Sequence, residues 1–349
     1  MSAAEAARQL RYLLKPLDRW RFERDVNDLC INRPGELFVR RKGGWEQHEV
    51  PLDYDDVYDI AVLAGAINQQ NVNDSKPLVA AELPDGERLQ AVLPPCVPSG
   101  TCSLTLRVHE TSVVPMEQAV RRYHTERWNQ WAKRREARKA DYAKVLALYD
   151  SGDLAGCFNE IVRLRFNPVL CGATGAGKTT FLNTLISVIN PNERIITIEN
   201  ALEIQIVNQP NHVRFLYSHG DQSVAKVTQK QLLEAYLRSR PDRGCVGELR
   251  DPEATYTYVA EAMTGHPGSP STIHGKDASQ AAVRLFNLFQ ASEAGKSFTP
   301  EMIKAQLGMA VDMIIPFREH EGRYEIGEVW LAAEAERRGE DFRELLGAP

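Results

Sequence analysis

No stretch of the sequence approaches the ~18 consecutive apolar residues that a membrane-spanning helix requires. The N-terminal segment MSAAEAARQLRYLLKPLDRW has no long apolar core either. Both absences point to a soluble protein of the cytoplasm that meets a membrane, if at all, by docking at its surface. The six cysteines (Cys30, Cys96, Cys102, Cys157, Cys171 and Cys245) are scattered without a C-x-x-C pair. That pattern excludes the usual zinc-site spacing and a disulfide framework, and leaves free thiols of a reducing compartment. Positive charge is not in excess: 47 acidic residues against 42 basic ones give a net charge of −5, so a polyanion is not expected as the main partner. Repeats and low-complexity tracts are missing as well.

What is present divides in two. A chain of 349 residues exceeds the ~250 at which a single core stops growing. From residue 10 to about 109 short alternating segments at 36–40, 78–82, 88–93 and 103–108 read as strands, separated by Pro34-Gly35, Gly43-Gly44, Asp85-Gly86 and Pro98-Ser99-Gly100. Val57, Ile60, Ala61, Ala64 and Ile67 recur at helical spacing within 54–68. This is an N-terminal α+β domain, bounded at 1–113. Residues 114–155 are a charged helical linker with few glycines or internal prolines. From 156 to 349 the chain alternates strand and helix: strands at 168–171, 194–198, 244–247 and 271–274, with helices from 178, near 228–238, and at 253–263 and 278–288. Alternation of this kind predicts an α/β domain whose mainly parallel sheet is covered by helices.

Gly172-Ala-Thr-Gly-Ala-Gly177-Lys178-Thr179 matches G-x-x-x-x-G-K-[ST] between an apolar strand and an amphipathic helix, the context this phosphate loop requires. Glycines let successive N–H groups turn toward phosphate oxygens, and the helix N-terminus adds favourable dipole charge. The nucleotide is assigned to Gly172, Thr174, Gly175, Ala176, Gly177, Lys178, Thr179 and Thr180. Lys178 is expected on the β- and γ-phosphates and the Thr179 hydroxyl on Mg²⁺. The expected domain is thus RecA-like and P-loop, with ATP and Mg²⁺ as ligands.

Hydrolysis also needs a group that orients water, and carboxylates at strand ends facing the loop are the candidates. Glu248 follows the strand at 244–247. Glu199 follows the one at 194–198, with Glu203 four residues on, as a second Mg²⁺ ligand or a solvated loop residue. His274 ends the strand at 271–274, where a neutral imidazole can hydrogen-bond a γ-phosphate or a carboxylate. His266 precedes it in the same glycine-rich segment.

Taken in order, GATGAGKTT, RIITIENALEI, LRSRPDRGCVGELRDPEA and TGHPGSPSTIHG resemble the Walker A loop, Asp box, atypical Walker B and His box of the secretion ATPase superfamily. The R-P-D-R lead, with VNDLCINRPGELFVRRKGGW and LPDGERLQAVLPP in the first domain, is most similar to the type IV secretion traffic ATPases, the VirB-eleven class. The resemblance spans about residues 17–330. It departs at Asn200, where the Asp box usually carries aspartate, and at Pro270 in the His box. It implies a homohexameric motor that works with inner-membrane and cytoplasmic secretion subunits, peripheral to the inner membrane, in pilus biogenesis, substrate transport or conjugative transfer. It also implies that Arg88 and Arg107 of the first domain reach the nucleotide phosphates. A pilus-retraction or type II secretion motor shares the boxes. A nucleic-acid translocase is the reading favoured by the basic linker, with Arg121, Arg122, Arg127, Lys133, Arg134, Arg135, Arg138 and Lys139 beside Trp128 and Trp131. Such a run more commonly packs on a partner or stays solvated, so direct DNA binding is expected to be weak or absent. A nucleotide-dependent scaffold without turnover is disfavoured by Glu248.

Overall fold

Two sheets of opposite character organise the computed structural model, which describes residues 2–108, 115–122, 131–218 and 224–347. The first contains α1 (Ala3–Leu14), α2 (Asp18–Arg21), β1 (Asp28–Ile31), β2 (Glu36–Arg41), β3 (Gly44–Glu49), α3 (Tyr54–Ile67), β4 (Leu78–Glu82), β5 (Arg88–Val92) and β6 (Ser103–Arg107). Its strands run β3-β2-β1-β6-β5-β4, each antiparallel to its neighbour. α3 begins at a reciprocal cap in which Asp53 accepts from Asp56 N (2.9 Å) and Asp56 from Asp53 N (3.1 Å), satisfying donors that the first helical turn leaves open. Val57, Ile60 and Ala64 then face Leu10 and Leu14 of α1 and the strand residues Leu29, Leu89 and Leu104 in one core. The sequence reading placed one helix in this domain. The structure adds the short α2 and also α1, which buries Ala6, Leu10 and Leu14, a four-residue repeat that lies mostly ahead of residue 10.

α4 (Met116–Arg122), α5 (Trp131–Asp150) and α6 (Leu154–Arg163) connect the domains. Of the basic run, Arg127 and Trp128 lie outside the described residues, as do the side chains of Arg122, Trp131, Lys133, Arg134 and Arg135. Arg138 is turned into the second domain: it pairs with the Asp312 carboxylate and covers the rings of Phe166 (4.3 Å) and Tyr142 (4.9 Å).

The second domain continues with β7 (Pro168–Gly172), α7 (Lys178–Ser187), β8 (Ile195–Glu199), β9 (His212–Leu216), α8 (Gln229–Arg238), β10 (Arg243–Val246), α9 (Pro252–Thr264) and β11 (Ser271–Ile273). It ends with α10 (Ala278–Ala291), α11 (Pro300–Ala310), β12 (Met313–His320), β13 (Arg323–Ile326), β14 (Trp330–Leu331), α12 (Ala332–Arg338) and α13 (Phe342–Gly347). Strand order is β13-β12-β7-β11-β10-β8-β9, with β14 also on β12. The strands from β12 through β9 are parallel, and β13 and β14 are antiparallel. β7, β8, β10 and β11 are buried along their whole length, as strands covered on both faces must be. Because they are parallel, their carboxyl ends meet at one edge of the sheet.

The first domain packs against the other, amino-terminal edge and the β9 side. Asn32 donates to Asn211 (3.0 Å), Trp45 Nε1 to Asp242 (2.7 Å), and Arg33 to His212 Nε2 (2.6 Å). Arg194, wholly buried, donates to Asn32 Oδ1 (2.7 Å) and the Ser239 carbonyl (3.0 Å). Val92, Cys96 and Val97 join the second domain's core, and Leu216 N donates to the Cys96 carbonyl (2.8 Å). All six cysteines are free and buried.

Candidate active site

The phosphate loop leaves β7 at Gly172, where a Cβ would come within 2.5 Å of the Phe317 carbonyl oxygen. Only glycine lets the β7 and β12 backbones run that close. The loop ends at Gly177, which caps α7 with φ 91° and contributes no side-chain hydrogen bond. The first-turn N–H groups of α7 are therefore left open at the positive end of the helix dipole, a ready anion seat. Lys178 is 8% exposed and its ammonium donates to the carbonyls of Gly172 (2.9 Å) and Ala173 (2.8 Å). Burial pulls its pKa below the ordinary lysine value, while the nearby charge of Glu248 acts the other way. A phosphate would meet this cation already desolvated, where a charge-assisted bond is strongest.

Three of the predicted groups, Glu248, His274 and Glu203, converge on the same edge. Glu248 follows β10, and His274 follows β11. The strand ends that carry them are tied together: Thr272 Oγ1 donates to the Gly247 carbonyl (2.6 Å) and Leu249 N to the Thr272 carbonyl (2.8 Å). His274 Nε2 consequently lies 2.9 Å from Glu248 Oε1, and Arg250 pairs with Oε2. Thr179 Oγ1 donates to Glu203 Oε2 at 3.4 Å, so the two oxygen ligands expected for Mg²⁺ are adjacent. Such a pair suits a hard cation that takes its other ligands from water and substrate phosphates. Among the described residues no cluster of three or more His, Cys, Asp or Glu forms a metal cage.

Glu199 is also at this edge, but its carboxylate is engaged from every side. It accepts from Thr197 Oγ1 (2.7 Å), Glu203 N (3.0 Å), Ile204 N (2.7 Å) and the Arg214 guanidinium (3.3 and 3.4 Å). Through those donors the carboxylate ties down the loop that presents Glu203. His266 is not brought to the site: it sits edge-on to Tyr236 (5.5 Å). Nor are Arg88 and Arg107 beside this chain's own loop. They face each other across β5 and β6, and Arg107 Nε donates to Asp28 (3.0 Å), which Arg240 also approaches (3.3 Å). With Arg40, Arg41 and Lys42 this forms a basic pocket at the amino-terminal edge.

Sequence reasoning missed Arg214, Arg250 and the β12–β13 hairpin. A cleft of about 500 Å³ runs beside the loop, lined from Gly175 to Phe181 and at Thr184, and across it by Phe317, Tyr324, Glu325 and Ile326. Alternating Val213 and Phe215 could have marked β9, and with it Arg214. Nothing local in 323–326 advertises a place beside residue 177.

The family model described as "Type II/IV secretion system protein" matches residues 23–318. "Protein VirB11" of Rhizobium radiobacter is 47% identical over 338 residues, 97% of this chain and 98% of that protein. "Type IV secretion system protein VirB11" of Bartonella quintana is 32% identical over 326 residues, 91% of each. The crystal structure of the VirB11 ATPase from the Brucella suis type IV secretion system, in complex with sulphate, aligns with a TM-score of 0.87 at 30% identity, over 96% of this chain and 98% of that one. The chain therefore belongs to the type II/IV secretion system protein family, in its VirB11 class of secretion ATPases.

Proposed function

We propose that this chain hydrolyses Mg²⁺-bound ATP in a homohexameric ring and uses the cycle to drive type IV secretion, in pilus biogenesis and substrate transport. It works in the cytoplasm, docked with other secretion subunits at the inner membrane. The observation that carries the reading is the convergence of a desolvated P-loop lysine with the Glu248–His274 pair at one sheet edge.

Each residue then has a task. Lys178 and the first-turn N–H groups of α7 hold the phosphates. Glu248 orients water toward the γ-phosphate and accepts its proton, and His274, 2.9 Å away, fixes the carboxylate's direction. Thr179 and Glu203 hold Mg²⁺, which when bound draws charge from the phosphate oxygens. Glu199 positions the Glu203 loop. Arg107, with Arg88 opposite it on β5, shares Asp28 with Arg240 at the amino-terminal edge of the second domain's sheet, so we assign the contact of both to the nucleotide of a neighbouring copy, where a planar guanidinium can take two phosphate oxygens at once. Nucleotide that bridges subunits can bias domain orientation by its differential affinity for two states.

Phosphate release with ATP and Mg²⁺, together with the native mass, tests the reading. Turnover that Lys178→Ala abolishes, in a protein whose mass is that of a ring, is the expected result. A monomer without turnover would remove the motor assignment.

A further inference from the structure

A nucleotide held by the phosphate loop needs a surface for its base, and the β12–β13 hairpin offers an aromatic one. β12 runs parallel to β7 until Phe317 lies opposite Gly172. It then continues beyond the sheet edge to His320 and returns as β13, with Tyr324 opposite Glu319 and Ile326 opposite Phe317. Tyr324 and Ile326 are two residues apart and so share one face of the hairpin. That face looks onto the loop: ring carbons of Tyr324 come within 3.6 and 3.7 Å of the point a Cβ on Gly177 would occupy.

Tyr324 is 68% exposed and Ile326 38%, so neither serves the core. Phe181 lies half-buried at the floor of the same cleft, with its ring against Phe158 (5.0 Å) and Phe317 (5.2 Å). An exposed aromatic ring thus stands over a cleft of about 500 Å³ that begins at the phosphate loop, within the ~300–1,000 Å³ of small-ligand pockets. From the loop, the cleft extends along the Thr180 and Thr184 side of α7, opposite the hairpin.

We propose that Tyr324 is the platform on which the purine base of the bound nucleotide stacks, with Ile326 as its apolar neighbour. This rests on the P-loop reading and adds the nucleoside subsite to it. Stacking uses the ring face and not the phenol hydroxyl, and it tolerates any base because every base has a π-face. The subsite therefore contributes affinity for the nucleoside without choosing between adenine and guanine.

The test is calorimetric titration of the full chain, with Mg²⁺ present, by ATP, GTP and inorganic tripolyphosphate. Tyr324→Ala is expected to weaken ATP and GTP by roughly 10-fold or more and to leave tripolyphosphate unchanged. Tyr324→Phe restores both nucleotides. Unaltered nucleotide affinity in Tyr324→Ala overturns the inference, as does an equal loss for tripolyphosphate or a change confined to native mass, which would make Tyr324 a contact between copies. Lys178→Ala separates the two readings: it should weaken all three ligands, and if it weakens none the phosphate site itself is misplaced.

Discussion

Glu248 holds its negative charge between an imidazole and a guanidinium, His274 and Arg250, with the Lys178 ammonium close enough to feel it. Partners on both carboxylate oxygens fix its direction, the condition for orienting water. Glu248→Gln preserves the shape and the hydrogen-bonding reach but removes the anionic acceptor. ATP binding is expected to persist while turnover falls about 10²-fold or more, the scale of general-base loss. Nucleotide titration beside phosphate release checks this. Loss of binding along with turnover would give Glu248 a structural part instead. The neighbouring imidazole adds a second handle: His274→Ala should lower turnover with little change in ATP affinity, because it acts through the carboxylate and not on the substrate.

The segment between β8 and β9 illustrates how an element can hide its purpose from the sequence. Glu199 gathers two backbone N–H groups, a threonine hydroxyl and Arg214, so truncating it strands buried donors and a guanidinium. Glu199→Ala is expected to cost roughly 3 kcal/mol, the scale of breaking a buried pair, read as a lower urea midpoint. Glu199→Gln should recover part of it, since an amide oxygen can still accept; an unchanged midpoint in Glu199→Ala would deny the loop-folding role. The phosphate loop was legible because its chemistry is local: glycine spacing, a lysine and a following apolar helix all lie within eight residues or just beyond. Glu248 and His274 were legible because each ends a strand of a parallel sheet, and parallel strands share their carboxyl edge. How Glu199 is held was not legible, since its partner Arg214 arrives on an edge strand fifteen positions later. Tyr324 was hidden for the same reason, its neighbour Gly177 being set by register between β12 and β7 and not by any adjacent residue.

At the scale of the whole molecule, one chain's two domains meet away from the phosphate loop, and two tests follow from that arrangement. His212 donates from Nδ1 to the Gln209 carbonyl (2.7 Å) and accepts at Nε2 from Arg33 (2.6 Å), so a second proton would have to enter against a guanidinium. Burial, with Arg33 adding to it, lowers its pKa from 6.5 to about 4. The unfolded chain takes up that proton as pH falls below 6.5, the folded one only near 4, so stability is lost across that window on acidification. Thermal melts should show wild type losing more stability than His212→Gln between those limits, and parallel curves would remove His212 from the account. The second test concerns the arginines. Lys178→Ala keeps Arg107 but lacks the phosphate loop's cation, whereas Arg107→Ala keeps the loop and leaves Asp28 paired with Arg240 (3.3 Å), so its fold should survive. Each variant alone is expected to be nearly inactive. If the arginine acts on a neighbour's nucleotide, rings assembled from equal amounts of both will contain intact loops facing intact arginines at roughly a quarter of their interfaces, as random placement around a closed ring dictates. Hydrolysis should then reappear on mixing, after dissociation and reassembly, at a level neither variant reaches. If the arginine serves its own chain, no subunit in the mixture is whole and the rate stays at the baseline of the two separate proteins, which would return Arg88 and Arg107 to their own chain's nucleotide or to no nucleotide at all.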